Sequence, residues 1–161
     1  MDNNYYNNLP RKRIGAGALI LNEQDEVLIV KQSYKDYWSI AGGVVDEGES
    51  PRVACIREVK EELGVELKNA DFICLDYTNV IENGEKREHL QFIFFGGKLS
   101  KEEIAKIKID NEEIIDFKFV SIKEAFLLLG EKLRKRLPKA LAALNNNLPV
   151  YLENGEFVDK R

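Results

Sequence analysis

Histidine is almost missing from this chain: His89 stands alone among 161 residues, with only two cysteines, one tryptophan and four prolines. One histidine cannot complete a zinc set, and no metal-ligand spacing joins Cys55 to Cys74. Free thiols in a reducing compartment are the simple reading. An excess of positive charge is also absent. The 24 Lys and Arg are outnumbered by 28 Asp and Glu, for a net charge of −4. That excludes a role in coating nucleic acid, whose footprint is basic. The local runs Arg11-Lys12-Arg13 and Arg134-Lys135-Arg136 read as solvated charge beside element ends. No apolar run approaches the roughly 20 residues of a membrane span. The start, MDNNYYNNLP, is polar rather than signal-like. The expectation is a soluble, cytoplasmic protein with no membrane partner and no stable nucleic-acid partner.

What is present is ordinary globular material, 44% hydrophobic and 32% charged. One domain is the default at this length. Residues 1–10, rich in Asn, read as a flexible arm whose Tyr5 and Tyr6 are free to dock elsewhere. Residues 11–161 read as a single domain. Strands are expected over Arg13–Leu21, Val27–Val30, Phe72–Ile81, Arg87–Gly96 and Ile114–Val120. Asn83-Gly84 and Asn154-Gly155 are hairpin signals, the second within a C-terminal hairpin at 150–158. Ser100 with Glu103, and Ser121 with Glu124, form two capping boxes that open helices. A helical tract runs from Gly130 to about Asn145, disturbed at Pro138. Strands and helices alternate irregularly, which predicts an α/β (α+β) fold with a mixed sheet and helices on its faces.

The densest feature is the stretch GVVDEGESPRVACIREVKEELGV, from Gly43 to Val65. Ser50 suits an N-cap, Pro51 the first helical position and Gly64 the left-handed position after the last turn. At about 100° per residue, Ile56, Val59 and Leu63 share the core face of this helix. Glu58, Glu61 and Glu62 gather on another face. Carboxylates at these spacings repel by roughly 0.2–0.5 kcal/mol per pair. Either a cation holds them, or they are a solvated face paired with Arg57 and Lys60. Hard divalent ions such as Mg²⁺ and Mn²⁺ take oxygen ligands of this kind and keep positions for water and phosphate oxygens.

The spacing of Gly43, Glu49, Arg57, Glu58, Val59, Glu61, Glu62, Gly64 and Val65 resembles the complete signature of the Nudix hydrolase family. The box covers a small part of the chain. A looser resemblance runs from about Arg13 to Ala125 through strand order, and the segment after Gly130 adds nothing to it. The resemblance implies the Nudix fold, with the box as a loop-helix-loop. It also implies a hydrolase that cleaves the pyrophosphate bond of a nucleoside diphosphate linked to another moiety, with Mg²⁺ or Mn²⁺. Glu58 and Glu62 are then the main metal ligands. Glu61 and the backbone of Gly42 join them, and Arg57, paired with Glu49, orients the glutamates. A carboxylate that takes a proton from water is also implied. Glu61 and Glu113 are both candidates for it, and Glu112 is equally available.

Ala41 stands where relatives often have Pro, which loosens the turn without removing a chemical group. The chain lacks a Pro between Pro51 and Pro138 and shows no coenzyme-A-type pattern near Leu28–Trp38. Those absences weaken two substrate subclasses and nominate no third. Arg13, Lys31, Trp38, Arg87 and Phe119 are candidate substrate contacts, each with a surface or packing role as its alternative. Tyr37, Tyr77 and Phe117 read first as packing residues. His89 reads as a satisfied or exposed strand residue. A non-catalytic Nudix-fold sensor or adaptor that binds a nucleotide is the competing function. Isomerisation of a diphosphate on the same fold is more remote, since it needs a further catalytic cysteine or acid. The partner expected is a small nucleotide-type molecule, on a monomer or a homodimer.

Overall fold

In the computed structural model, residues 8–82, 84–109 and 111–158 are described. Tyr5, Tyr6 and Asn83 of the first hairpin signal lie outside the described residues. Strand β1 (Arg13–Asn22) is the axis of the molecule. Its residues alternate between two faces. Ala16, Ala18 and Ile20 enter one apolar cluster, while Leu19 and Leu21 enter another on the opposite side. Strand β2 (Val27–Gln32) is divided the same way, with Leu28 and Val30 against Val27 and Ile29. The sheet is therefore covered on both faces, as expected for a mixed sheet between helices.

On the β1 face of Ala16 lies α1 (Pro51–Leu63). Ser50 Oγ accepts from the Val53 N–H at 3.3 Å, and Gly64 closes the helix at φ 66° with its N–H on the Lys60 carbonyl. Burial falls on Ala54, Cys55, Val59 and Leu63. Ile56, expected at the centre of this face, packs at its edge. The i, i+4, i+8 row runs through Cys55 instead. On the opposite side of the sheet lie α3 (Ile122–Leu128) and α4 (Glu131–Asn146), which bring in Ala125, Leu137, Ala140 and Leu141. Burying Val59 and Leu63 contributes about 1.5–3 kcal/mol each. That outweighs the glutamate repulsion on the same helix, so α1 holds its charge cluster in place.

The sheet path runs β3 (Trp38–Ser39), β2, β1, β6 (Glu85–Leu99), β5 (Asp71–Glu82), β8 (Val150–Glu153) and β9 (Glu156–Phe157). β1 and β2 pair at the corner Leu21↔Val27. Two short strands, β3 and β4 (Gly42–Val44), were not apparent from sequence, whereas β7 (Ile114–Val120) was expected. β4 pairs antiparallel with β1, setting Gly17 opposite Gly42 and Gly15 opposite Val44. β7 pairs with β2. β1 and β6 run parallel, with Arg13 opposite His89, Gly15 opposite Gln91 and Gly17 opposite Ile93. Asn154 and Gly155 both take positive φ, the geometry of a type I′ hairpin between β8 and β9. No helix among the described residues is long and apolar enough to cross a membrane.

The capping boxes differ from each other. Ser100 and Glu103 cap reciprocally at the start of α2 (Lys101–Ile104). Ser121 Oγ caps α3, but the Glu124 carboxylate turns away to Lys118 at 3.0 Å. The disturbance expected at Pro138 is also absent: α4 continues through it. Leu137, Ala140 and Leu141 are buried on the sheet, so packing holds the helix on either side of the missing N–H. Replacing the exposed Pro138 by Ala restores a bond to the Arg134 carbonyl and removes a ring clash worth about 3 kcal/mol. The looser unfolded chain returns about 0.4–1 kcal/mol. Pro138→Ala is therefore expected to raise stability by about 2 kcal/mol in urea unfolding. An unchanged or lowered midpoint would show that α4 is bent to suit the proline.

Candidate active site

One carboxylate of α1 is not on the solvent face. Glu62 is 4% exposed, packed between the helix and β4. Its Oε2 accepts from the Gly42 N–H at 2.9 Å, and its buried Oε1 has no hydrogen-bond partner among the described residues. Burial, then the nearby charges of Glu58 and Glu113, push its pKa up to about 8, against the Gly42 N–H and Lys35, which act the other way. Of the two readings left open for the three glutamates, a uniformly solvated face does not hold. Glu58 is largely covered, Glu62 is inside and only Glu61 is well exposed.

The two glycines ahead of the helix make room for this arrangement. Gly42 has φ 144°, and a Cβ there would sit 2.2 Å from the Ala16 carbonyl oxygen. A Cβ on Gly43 would lie 2.4 Å from Glu58 Oε1. Any side chain at these positions displaces either β1 or the carboxylate. Ala41 beside them is buried in the apolar cluster under α1. The absence of proline there leaves the glycine geometry intact.

Arg57 organises the rest. Its Nε and Nη2 donate to both oxygens of Glu49, at 2.9 and 3.0 Å. Its Nη1 donates to Glu58 Oε1 at 2.9 Å and to Glu61 Oε2 at 3.0 Å. A further bond reaches the Val44 carbonyl at 3.2 Å. The forked guanidinium suits this bidentate role in a way an ammonium would not. The Glu49 carboxylate is lowered, first by its bond from Arg57. The Glu58 carboxylate is raised by burial, with Arg57 opposing and Glu61 and Glu113 adding to the rise. No three acidic, His or Cys side chains among the described residues form a ready cation cage.

Across from α1, Glu113 precedes β7, and its backbone carbonyl accepts from the Ser33 N–H at 2.8 Å. The hydroxyl of Tyr34 donates to Glu113 Oε1 at 3.3 Å. Burial, then Glu113, raises the Tyr34 hydroxyl; burial lowers the Lys35 ammonium, against the pull of Glu62 and Glu113. Between these walls opens a cavity of about 590 Å³, the size of a small-ligand site. Glu58, Glu61, Gly42 and Glu113 line one end, and Arg13, His89 and Arg136 line the other.

The remaining sequence candidates scatter. Arg13 lines this cavity, and Arg87 lines a neighbouring one. Lys31 is turned to the Lys35 carbonyl. Trp38 packs on the α4-side cluster with the Lys118 ammonium 4.9 Å from its ring centre. Phe119 and Phe117 pack on the α1-side cluster, and Tyr77 donates to Glu88. Gln32, weighed beside Lys31 as a phosphate or base contact, lines the cavity; sequence reasoning missed Tyr34, Lys35, Gln91 and Arg136. Arg136, read as solvated, is 6% exposed and pairs with buried Asp76. Its signal was available: it shares the buried side of α4 with Leu137 and Ala140, where an arginine is out of place.

The NUDIX domain family profile matches residues 11–144. The chain is 29% identical over 133 residues to Nudix hydrolase 8 of Arabidopsis thaliana, a match covering 78% of this chain and 34% of the relative. It is 34% identical over 85 residues to diphosphoinositol polyphosphate phosphohydrolase 3-alpha of Mus musculus, covering 52% and 49%. The crystal structure of the MutT protein from Methanosarcina mazei Go1 superposes with a TM-score of 0.65 at 25% identity, covering 86% of this chain and 98% of that one. The chain belongs to the Nudix family. It spans about a third to a half of the length of these two curated relatives.

The Glu62 environment has a direct consequence for stability. Its pKa rises from the ordinary 4.5 to about 8 on folding, so the fold favours the neutral acid. Stability from this group is intact below about pH 4.5 and is lost as pH rises through about 8, by at most about 5 kcal/mol. Melting temperatures of the metal-free protein should fall over that range. Glu62→Gln should flatten the profile, and Mg²⁺ should restore the wild type at high pH but not the variant. Parallel profiles for the two proteins would refute the assignment.

Proposed function

We propose that this protein hydrolyses a diphosphate linkage in a nucleotide-type small molecule, with Mg²⁺ or Mn²⁺ held by Glu58, Glu62 and the Gly42 backbone. The observation that carries this reading is the buried Glu62 carboxylate, whose Oε1 is left without a partner behind Gly42, which with Glu58 lines the end of an open cavity. A buried carboxylate of this kind is costly unless something compensates its charge. An all-oxygen donor set with one backbone group suits a hard divalent cation better than a soft metal. When bound, such an ion neutralises charge on the diphosphate oxygens and acidifies a water.

The chain's own residues supply the remainder. Glu49 and Arg57 fix the rotamers of Glu58 and Glu61, so the carboxylates need little reorganisation. Lys35, on the wall opposite α1, adds positive charge near the phosphates. The proton of the attacking water passes to a carboxylate. Both carboxylates line the cavity, but Glu61 Oε2 accepts from the Arg57 cation, which makes it a poorer proton acceptor, while Glu113 Oε1 accepts from the Tyr34 hydroxyl. We assign the proton to Glu113. The name of the mouse relative, a diphosphoinositol polyphosphate phosphohydrolase, supports a diphosphate as the bond at issue.

The test is an assay with Mg²⁺ and with Mn²⁺ against nucleotide sugars, dinucleoside polyphosphates, nucleoside triphosphates, capped RNA and diphosphoinositol polyphosphates. Turnover of at least one is expected. Glu62→Gln should lose most of it, and Glu113→Gln should lower kcat by about 10²–10⁴-fold. Native kcat in Glu113→Gln would return the proton to Glu61. No turnover anywhere, with metal still bound, would favour a nucleotide-binding sensor.

A further inference from the structure

The cavity has a second end that the hydrolytic chemistry does not use. Along β1, Gly15 and Gly17 face the same side as Arg13, and the Gln91 and Ile40 side chains pack where a Cβ on each would stand. Gly17 is level with Gly42 and hence with Glu62, and Arg13 lies four positions further along β1. At 3.3 Å per residue that is roughly 13 Å from the acidic end. His89 stands opposite Arg13 on β6. Arg87 and Lys86 precede it, which extends the run by roughly 7–10 Å.

This far end is built and basic. Arg136 is buried at 6% exposure and lines the cavity. Its Nε donates to Asp76 Oδ2, and its Nη2 to Thr78 Oγ1 at 2.8 Å. Asp76 Oδ1 is itself held by the Gly155 N–H at 2.9 Å. The guanidinium is thus fixed in advance, and its Nη1 makes no hydrogen bond among the described residues. Arg13 and His89 also line an adjoining cavity of about 310 Å³. There they meet Arg11, Lys86, Arg87 and Lys132. The one carboxylate in that lining, Glu88, is engaged by Lys12 and Tyr77. The Lys86–Glu88 pair is long, at 4.0 Å, and exposed pairs of this kind hold weakly. This concentration of cations sits in a chain of net charge −4. No Phe or Trp lines either cavity among the described residues, and the lining of this end is dominated by cations.

We infer that Arg13, Arg136 and His89, continued by Lys86, Arg87 and Lys132, form a distal anion subsite, and that the substrate carries a further phosphate roughly 13–23 Å from the acidic end of α1. The inference rests on the diphosphate-hydrolase reading for what happens at the other end. It narrows the substrate class to diphosphates whose second moiety is itself phosphorylated, rather than those ending in an uncharged sugar or nucleoside. Charge-assisted bonds to phosphate from a preset guanidinium are the strong kind. The state of His89 agrees with the placement. Its pKa is lowered by burial and by the Arg136, Lys132 and Arg13 charges, with Asp76 opposing. An anion placed among those cations reverses their contribution.

His89 is the only histidine in the chain, so its imidazole NMR signals report this end alone. The test titrates the full chain in metal-free buffer with inorganic tripolyphosphate, and with chloride at matched ionic strength as control. A saturable shift of the His89 signals and an upward move of its pKa are expected with tripolyphosphate only. Arg13→Gln/Lys132→Gln should weaken that binding about tenfold or more, and Glu62→Gln should leave it unchanged. No saturable shift, the same shift with chloride, or undiminished binding in the double variant would overturn the subsite. Because metal is absent, this result is independent of turnover. A distal site that binds tripolyphosphate in a protein with no diphosphatase activity would sink the proposed function and leave the subsite standing.

Discussion

The burial of Glu62 is the constraint that orders this molecule. A carboxylate inside a fold costs several kcal/mol when ionised and unpaired, far more than the few tenths from neighbouring glutamates on one helix. The surroundings follow from that cost. Gly42 presents its N–H because it can adopt φ 144° against β1. Gly43 gives up a side chain so that Glu58 fits beside it. Arg57 is anchored on Glu49 and holds Glu58 and Glu61 in turn. The apolar row Cys55–Val59–Leu63 presses α1 onto the sheet and prevents Glu62 from escaping to water.

The rest of the fold places a cavity in front of that carboxylate. The parallel pairing of β1 with β6 lines up Gly15 and Gly17 with Gln91 and Ile93. This leaves a trough with little bulk on the β1 side. The β2–β3 connection carries Tyr34 and Lys35 over one end, and the segment before β7 brings Glu113 to meet them. At the other end α4 drives Arg136 into the sheet, where Asp76, Thr78 and the β8–β9 turn lock it. The trough is thus acidic at one end and basic at the other, a polarity that suits a cation-bridged diphosphate followed by a second anionic group.

Much of this was legible in the sequence because it is written locally. Ser50, Pro51 and Gly64 mark the ends of α1 by capping chemistry that acts within a turn. Asn154-Gly155 marks its hairpin the same way. The spacing of the box residues carries the acidic end. What was not legible depends on contacts between distant segments. Nothing near Glu62 in sequence says that it lies inside, since that follows from β4 pairing with β1. Arg134-Lys135-Arg136 looks uniformly solvated by charge, and although helix spacing puts Arg136 beside Leu137 and Ala140, its partner Asp76 lies far off on β5; Arg134 likewise folds back onto the Leu129 carbonyl. Pro138 reads as a helix break, and packing on either side overrides it. Tyr34 and Lys35 sit in a connection with no pattern of its own, and only the β2–β7 pairing brings them to Glu113.

The central claim is that Glu58, Glu62 and Gly42 together hold a divalent cation. Anomalous diffraction from crystals of the full chain grown with Mn²⁺ tests it most directly. The account predicts a Mn²⁺ peak bonded to the Glu58 and Glu62 carboxylates and the Gly42 backbone, with Arg57 still on Glu49. A peak elsewhere, or none at saturating Mn²⁺ with Glu62 Oε1 still unpartnered, would contradict it.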